Sequence, residues 1–413
     1  MTPPVRTRSG RDGRRRAVIL ILSLWIAMVL SVLALTVAHE VGLNLRLTRY
    51  SQDRLKARAL ARAGVAKAVV DLRNDKLLAV ADPSNLLTDT LLDVWALTED
   101  KTDVEWGEGS YSVRVEDEER RFNLNLISRE NAQAVGYLLH RTLGLDRIAA
   151  DTVAYMMVDY QDADDVPVSG SSNDESAYYT DWAHREFRGE IPQDWIFQPK
   201  NDGFHNLEEL LVFPGVTRDG LFGEVDEIFE DAPGRRRGRA RRTAGGGEIG
   251  PLARYVTVRS GFHLNLNTVE PLVLEAMFVQ VFGGGGPEIE RLVGAVVDLR
   301  RDLGRAEGSR GGIVNRNQLE TIGLSRVQVN ALSALYPLNT ISYFYTITSR
   351  GEYHGLRKTL QYRVRVNVES YQLDPQRPEH HGRRDPRAGA SLASRGRGAV
   401  IDPAVRVVEI KDL

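Results

Sequence analysis

AVILILSLWIAMVLSVLALTVA, residues 17–38, is a run of twenty-two residues without a charge. At helical rise it covers the roughly 30 Å hydrocarbon core of a bilayer. Arg6, Arg8, Arg11, Arg14, Arg15 and Arg16 precede it against the single acid Asp12. That asymmetry keeps the amino terminus in the cytoplasm and sends the chain after His39 across the membrane. A cleaved secretory signal competes for this stretch, but its apolar part usually runs about 7–15 residues and closes on small residues. Here the run is longer and passes through Thr36, Val37, Ala38, His39 and Glu40 into helix-favouring sequence. Residues 17–38 read as a retained anchor.

The helical pattern continues past the membrane. Residues 40–81 contain no proline, and leucine, alanine, arginine and lysine dominate. Ala57, Ala61, Val65, Ala68 and Leu72 recur at three- and four-residue steps, one apolar stripe of small residues. Asp82-Pro83 ends the run, since proline restricts the residue before it and lacks an amide donor. The spacing predicts a long helix over 18–82, roughly 90 Å of rod, preceded by a basic leader over 1–17.

Composition narrows the class of protein further out. Apolar residues make up 42% and charged residues 27% of the 413, ordinary for globular protein. The length suggests two or three domains. A net charge of −2 gives no global field that would recruit nucleic acid. The absence of cysteine excludes disulfides, thiolate metal sites and a cysteine nucleophile.

Tyr111, Val113 and Val115 alternate with polar residues, the period-two pattern of a half-buried strand. Tyr343, Tyr345 and Ile347, then Leu360, Tyr362, Val364 and Val366, do the same far downstream. The glycine-containing SRGEYHG (349–355) between those two runs reads as the turn of an antiparallel hairpin. Residues 83–119 and 338–371 are thus expected to share one sheet.

Between them, 120–337 reads as helices in two copies, 120–220 and 255–337. Phe122-Asn123-Leu124-Asn125-Leu126 recurs as Phe262-His263-Leu264-Asn265-Leu266-Asn267. Each copy continues into two helices and a closing phrase, NLEELLVFPGVT (206–217) and NQLETIGLSRV (317–327). An arginine- and glycine-rich linker, 233–250, separates them, and 372–413 reads as a disordered polar tail in which one apolar phrase, 405–410, is a candidate strand.

Asp159, Asp162, Asp164 and Asp165, followed after a glycine-serine turn by Asp174 and Glu175, form the main chemical constellation. Alternating carboxylates in a loop supply the six to eight hard oxygens that calcium takes, though without the spacing of an EF-hand. Carboxylates this close also raise one another's pKa unless a cation is present. A solvated acidic loop is the plain alternative. Gly245-x-Gly247-x-x-Gly250 follows an arginine run rather than a strand and is no dinucleotide fingerprint. No nucleophile elbow, phosphate-binding loop or H-E-x-x-H helix is present. Asn265-Leu266-Asn267-Thr268 before a short helix has the look of a helix-hairpin-helix module. However, Pro214-Gly215-Val216 and Ile322-Gly323-Leu324 supply one glycine each and few basic neighbours.

In this order the pieces resemble the K-type minor pseudopilin of bacterial type II secretion, general secretion pathway protein K, over residues 14–367. The resemblance is carried by the basic head with AVILILSLWIAMVLSVLAL, ARALARAGVAKAV (57–69), FNLNLIS (122–128), VDYQDADD (158–165) and DESAYY (174–179). It continues through NLEELLVFPGVT, YVTVRSGFHLNLNT (255–268) and the closing hairpin. It implies an α+β protein, with a pilin-like long N-terminal helix on a small antiparallel sheet and a large all-α domain inserted between strands. It implies structural calcium near the acidic loop, with Asp162, Asp164, Asp174 and Glu175 as first ligands and Asp159 and Asp165 as second choices. It places a prepilin leader-peptidase cut, with methylation, between Ala17 and Val18, alanine standing where the family has glycine. Leu22 stands where pilin-like subunits carry a glutamate that pairs with the subunit ahead, an omission expected of a subunit at the tip.

The implied function is a non-enzymatic subunit of the inner membrane. Its bulk would be periplasmic, and its partners would be the I-type and J-type minor pseudopilins, the secretion platform and membrane lipid, with no nucleic acid. The alternatives are a membrane-anchored DNA-binding or adaptor protein and a metal-dependent hydrolase using the acidic loop.

Overall fold

Residues without proline and rich in alanine, leucine and arginine form one helix, α1 (Gly10–Ala81), of 72 residues. At 1.5 Å per residue it is roughly 110 Å long. The protein is described here by a computed structural model covering residues 10–81, 88–97, 101–223, 249–305, 312–372 and 399–412. The basic leader is helical from Gly10 onward, so it joins the rod instead of standing apart from it. α1 is long and apolar enough to cross a membrane, with a window of mean hydropathy 2.9, and its apolar residues from Val18 to Val37 are exposed all round.

In chain order, β1 (Val104–Trp106) and β2 (Gly109–Asp117) follow, then a helical head. The head contains β3 (Phe122–Asn123), α2 (Ala132–Leu143), α3 (Arg147–Asp159), α4 (Glu175–Glu186) and α5 (Arg218–Phe222). After residues 224–248, outside the described set, it continues with β4 (Val256–Thr257), β5 (Leu264–Asn265), α6 (Pro271–Phe282), α7 (Pro287–Arg305), α8 (Arg326–Leu335) and β6 (Leu338–Asn339). The chain then returns through β7 (Phe344–Tyr353), β8 (Leu356–Gln372) and β9 (Ala399–Asp412).

One antiparallel sheet, ordered β1-β2-β7-β8-β9, joins the early and late strands as the alternating patterns predict. Tyr111, Val113, Val115, Tyr345, Ile347, Val364 and Val366 point from it into one core with Ala57, Leu60, Val65, Ala68 and Leu72 of α1. The whole predicted stripe of α1 is buried, and its small residues let helix and sheet approach closely. SRGEYHG is not all turn. Residues 349–353 belong to β7, and the reversal is His354-Gly355, at φ 47° and 79°, the positive pair that a two-residue hairpin requires. The reading of 372–413 as disordered is corrected for its last part, because 399–412 form β9 on β8. The candidate strand 405–410 lies within β9, and what the tail read alone does not reveal is its partner, β8. Residues 373–398 lie outside the described set.

The same set of asparagine brackets occurs twice in the head, in a register two residues from the one the sequence suggests. Asn123 Oδ1 accepts from Asn125 N at 3.0 Å, and Asn265 Oδ1 from Asn267 N at 2.9 Å. Asn125 then brackets Phe204, accepting from its N at 2.7 Å and donating to its O at 3.0 Å. Asn267 brackets Ile313 in the same way, at 2.6 and 2.9 Å. Two residues on, Asn206 and Asn315 each begin a capping box with Glu209 and Gln318. Phe122 therefore matches Leu264, not Phe262, which is 80% exposed. Spelling aligned the two phenylalanines, whereas the backbone bridges the asparagines make define the register. Each copy also contributes one parallel two-residue bridge, β3 to β4 and β5 to β6.

Head and sheet meet at three consecutive buried acids, Asp117, Glu118 and Glu119. Asp117 accepts from Ser342 Oγ at 2.5 Å, from Thr268 Oγ1 and from Glu119 N. Glu118 accepts from Thr257 at 2.8 Å and from Thr346, and pairs with Arg121. Glu119 accepts from Tyr343 N at 2.6 Å and Gly261 N at 3.2 Å. The second half of the head is thus fastened to the strand ends.

Burial, then the neighbouring Glu119, pushes the Asp117 carboxyl up to about 7. A carboxyl raised above its unfolded value stabilises the fold fully below about 4 and loses that contribution as pH rises through about 7. Relative to the parent, Asp117→Asn is therefore expected to gain stability from pH 5 to about 7 and to level off above that in urea denaturation. A difference between the two that stays flat over that range would show that Asp117 titrates normally.

Candidate metal centre

The acidic loop joins α3 to α4, and helical periodicity decides which of its acids turn inward. Asp159 ends α3 three residues after Met156 and six after Val153, on the buried face. Glu175 opens α4 four residues before Tyr179, and both are buried. Asp162 lies in the turn between. Asp159, Asp162 and Glu175 bring one carboxylate oxygen each within 4.8 Å of one another.

The hydrogen bonding leaves this group short of donors. Asp159 Oδ2 accepts from Val168 N at 2.8 Å and from the Tyr179 hydroxyl. Asp159 Oδ1, Asp162 Oδ1 and both oxygens of Glu175 are buried without a partner, and Glu175 is only 1% exposed. Burial, followed by the charges of Asp159 and Asp162, pushes Glu175 up to about 8. Burial pushes Asp159 to about 6 against its hydrogen bonds, and Asp162 is raised by burial and then by Asp164.

A second trio gives the contrast. Asp75, Asp89 and Asp93 are also close and buried, with Asp93 pushed up to about 7 by burial and then by Asp75. There the buried ammonium of Lys76 sits 2.5 Å from Asp89 Oδ1, and Ser342 N donates to Asp89 Oδ2 at 2.6 Å. Thr90 N donates to Asp93 at 2.7 Å. That trio holds its own cation. Among the described residues the Asp159 trio has none, and unpaired buried carboxylate oxygens are costly. An all-oxygen donor set with no thiol or imidazole suits a hard cation such as calcium.

Of the six acids singled out in the sequence, the fold brings together Asp159, Asp162 and Glu175. Asp174 instead caps α4, accepting from Ala177 N at 2.9 Å. Asp164 is exposed and accepts from Val166 N at 2.9 Å, and Asp165 is exposed. Tyr179, which orients Asp159, reads in the sequence as one of the aromatic residues of a packed loop and not as a site residue. Ala17 and Val18 lie within α1, which passes through them unbroken.

No protein-family profile and no curated protein matches the chain. Among solved structures it is similar to a chain of the GspK-GspI-GspJ complex from the type 2 secretion system of enterotoxigenic Escherichia coli. The TM-score is 0.50 at 14% identity, covering 88% of this chain and 98% of that one. The fold is GspK-like. At that identity the likeness is one of architecture, and it includes the long amino-terminal helix, the antiparallel sheet and the helices between its strands.

Proposed function

We propose that the chain is a non-enzymatic minor pseudopilin that starts a periplasmic pseudopilus at its tip. Its anchor would lie in the inner membrane, and its partners would be I-type and J-type pseudopilins and the secretion platform. A single observation carries this reading: the head, inserted between β2 and β7, stands on the end of a sheet that clads a helix continuous with the apolar span. A subunit surrounded by others in a filament has little room for a head of that size, whereas an end position leaves it free. Leu22 supports the same position, since a tip subunit has no neighbour ahead to pair with a buried carboxylate. The solved neighbour is itself part of a complex of three such subunits.

Calcium belongs to the proposal as a structural ion held by Asp159, Asp162 and Glu175. Bound there, it would neutralise the carboxylates and fix the loop between α3 and α4. Processing by the leader peptidase between Ala17 and Val18 is part of the same reading.

The test is purification of the full-length chain from its own membranes. Co-purification with three smaller pilin-like proteins, lost together with secretion when residues 18–38 are scrambled, is the expected result. Recovery without any pilin-like protein, or with DNA that salt releases, would overturn it.

A further inference from the structure

We propose that Arg120, Arg254 and Arg300 form a binding site for one compact oxyanion with two negative charges, of the class of inorganic phosphate and sulfate, which ties the second half of the head to the end of the sheet. The three arginines come from separate elements. Arg120 lies in the turn after β2, Arg254 just before β4, and Arg300 on α7. They meet at Glu270, the N-cap of α6, whose backbone N donates to Arg120 O at 3.1 Å.

Charge does not balance there. Arg120 Nη2 and Arg254 Nε, the latter at 3.4 Å, both donate to one oxygen, Glu270 Oε1. Among the described residues Arg300 has no carboxylate partner, and its hydrogen bond runs from Nη1 to the carbonyl of Val269 at 2.8 Å. The nearby acids are already matched. Glu116, Glu118 and Glu409 pair with Arg121, Arg363 and Arg259. Three guanidiniums thus stand against the single carboxylate of Glu270.

Burial makes that surplus costly. It pushes the Arg300 guanidinium down to about 10, and Arg120 and Arg301 push the same way against the pull of Glu270. Arg120 Nε is sealed from solvent without a partner. Nε and Nη2 of Arg300 also lack a partner, but neither is sealed off, and the Arg254 side chain is 52% exposed. An anion therefore reaches Arg254 and Arg300 from solvent, while the mostly buried Arg120 adds its charge. Guanidinium forks suit the oxygens of a tetrahedral anion. A dianion offsets the whole surplus, and a single carboxylate only half of it.

The source of the anion follows from height above the membrane. Lys76 donates to the carbonyl of Ser342 at 3.2 Å, at the end of the sheet where Ser342 also meets Asp117. From Ala38 to Lys76, α1 rises roughly 57 Å. Headgroups of the anchoring membrane are out of reach, so the ligand is a soluble anion.

The proposal is independent of the pseudopilin reading. The full-length chain in detergent and calcium-free buffer is titrated with sodium phosphate, sulfate or nitrate at constant ionic strength and pH 8. Calorimetry should show one saturable site for each dianion and none for nitrate. Arg300→Gln should weaken binding about tenfold or more, the loss of a charge-assisted hydrogen bond. Arg254→Gln, at the more exposed corner, should weaken it likewise and keeps the test decisive where the first variant fails to fold. Arg301→Gln, at an exposed neighbour 3.7 Å from Asp298, should change it by less than about twofold. Lowering the pH to 6 should weaken phosphate, which gains a proton, and leave sulfate unchanged. No saturable binding of either dianion would overturn the proposal. So would nitrate binding as tightly as sulfate, or Arg301→Gln weakening binding as much as the other two substitutions.

Discussion

At pH 8 without calcium, the double variant Asp159→Asn/Glu175→Gln is expected to melt above the parent chain, and in millimolar calcium below it. The crossover follows from four buried carboxylate oxygens that have no donor. Glu175 is pushed to about 8 and Asp159 to about 6, so the folded state holds protons that the unfolded chain gives up near pH 4. Raised carboxyl pKa values mean that the parent loses stability as pH rises from about 4 to 8. Replacing the two acids by amides removes that loss.

A cation reverses the sign. At a hundredfold excess over its dissociation constant, a ligand specific to the folded state adds about 2.7 kcal/mol. For a domain of this size that is a rise on the order of 5–10 °C. The parent should show this rise, and the double variant should not. Proton release on binding, growing as pH falls from about 8 through about 6, would accompany it in the parent. A melting curve of the parent unmoved by calcium, or equal shifts in both chains, would remove the metal centre.

Gly351→Ala is expected to detach the far half of α1 from the sheet. A Cβ built at Gly351 comes within 2.0 Å of Ala57 O, 2.6 Å of Ala61 N and 3.0 Å of Leu60 Cβ. The first two are backbone atoms of a helix, so no rotamer change relieves the clash and α1 must move as a body. Overpacking a core commonly costs about 1–3 kcal/mol, and a backbone clash lies at or above the top of that range. The loss should appear as a fall in melting temperature of several degrees with increased proteolysis near residue 60. Gly42, also in α1, has nothing within 4 Å of its built Cβ, and Gly42→Ala should leave the stability of head and sheet unchanged. A Gly351→Ala chain that melts with the parent would mean that α1 does not lie on β7 as described.

What reached the sequence intact was local and periodic. An uncharged run of bilayer length, a three-four stripe of small residues and alternating strands depend on neighbours a few positions away. They were enough to indicate rod, sheet and inserted helices. The duplication of the head was legible too, because Asn-Leu-Asn is spelled twice, but its register was not. Asn125 and Asn267 are defined by the backbones they bracket, at Phe204 and Ile313, 79 and 46 residues away.

The same distinction separates the acids. Six carboxylates made a plausible set on the page, and only the turn of α3 and α4 chose Asp159, Asp162 and Glu175 over those that cap a helix or face water. Asp75, Asp89 and Asp93 form an equally tight trio that Lys76 neutralises. No spacing rule reveals this, since Asp89 is held by Lys76 and Ser342 together. Composition and period thus determined which elements exist. Long-range contact decided which charges are paired and where β9 finds its strand, because burial and pairing depend on atoms brought together from distant parts of the chain.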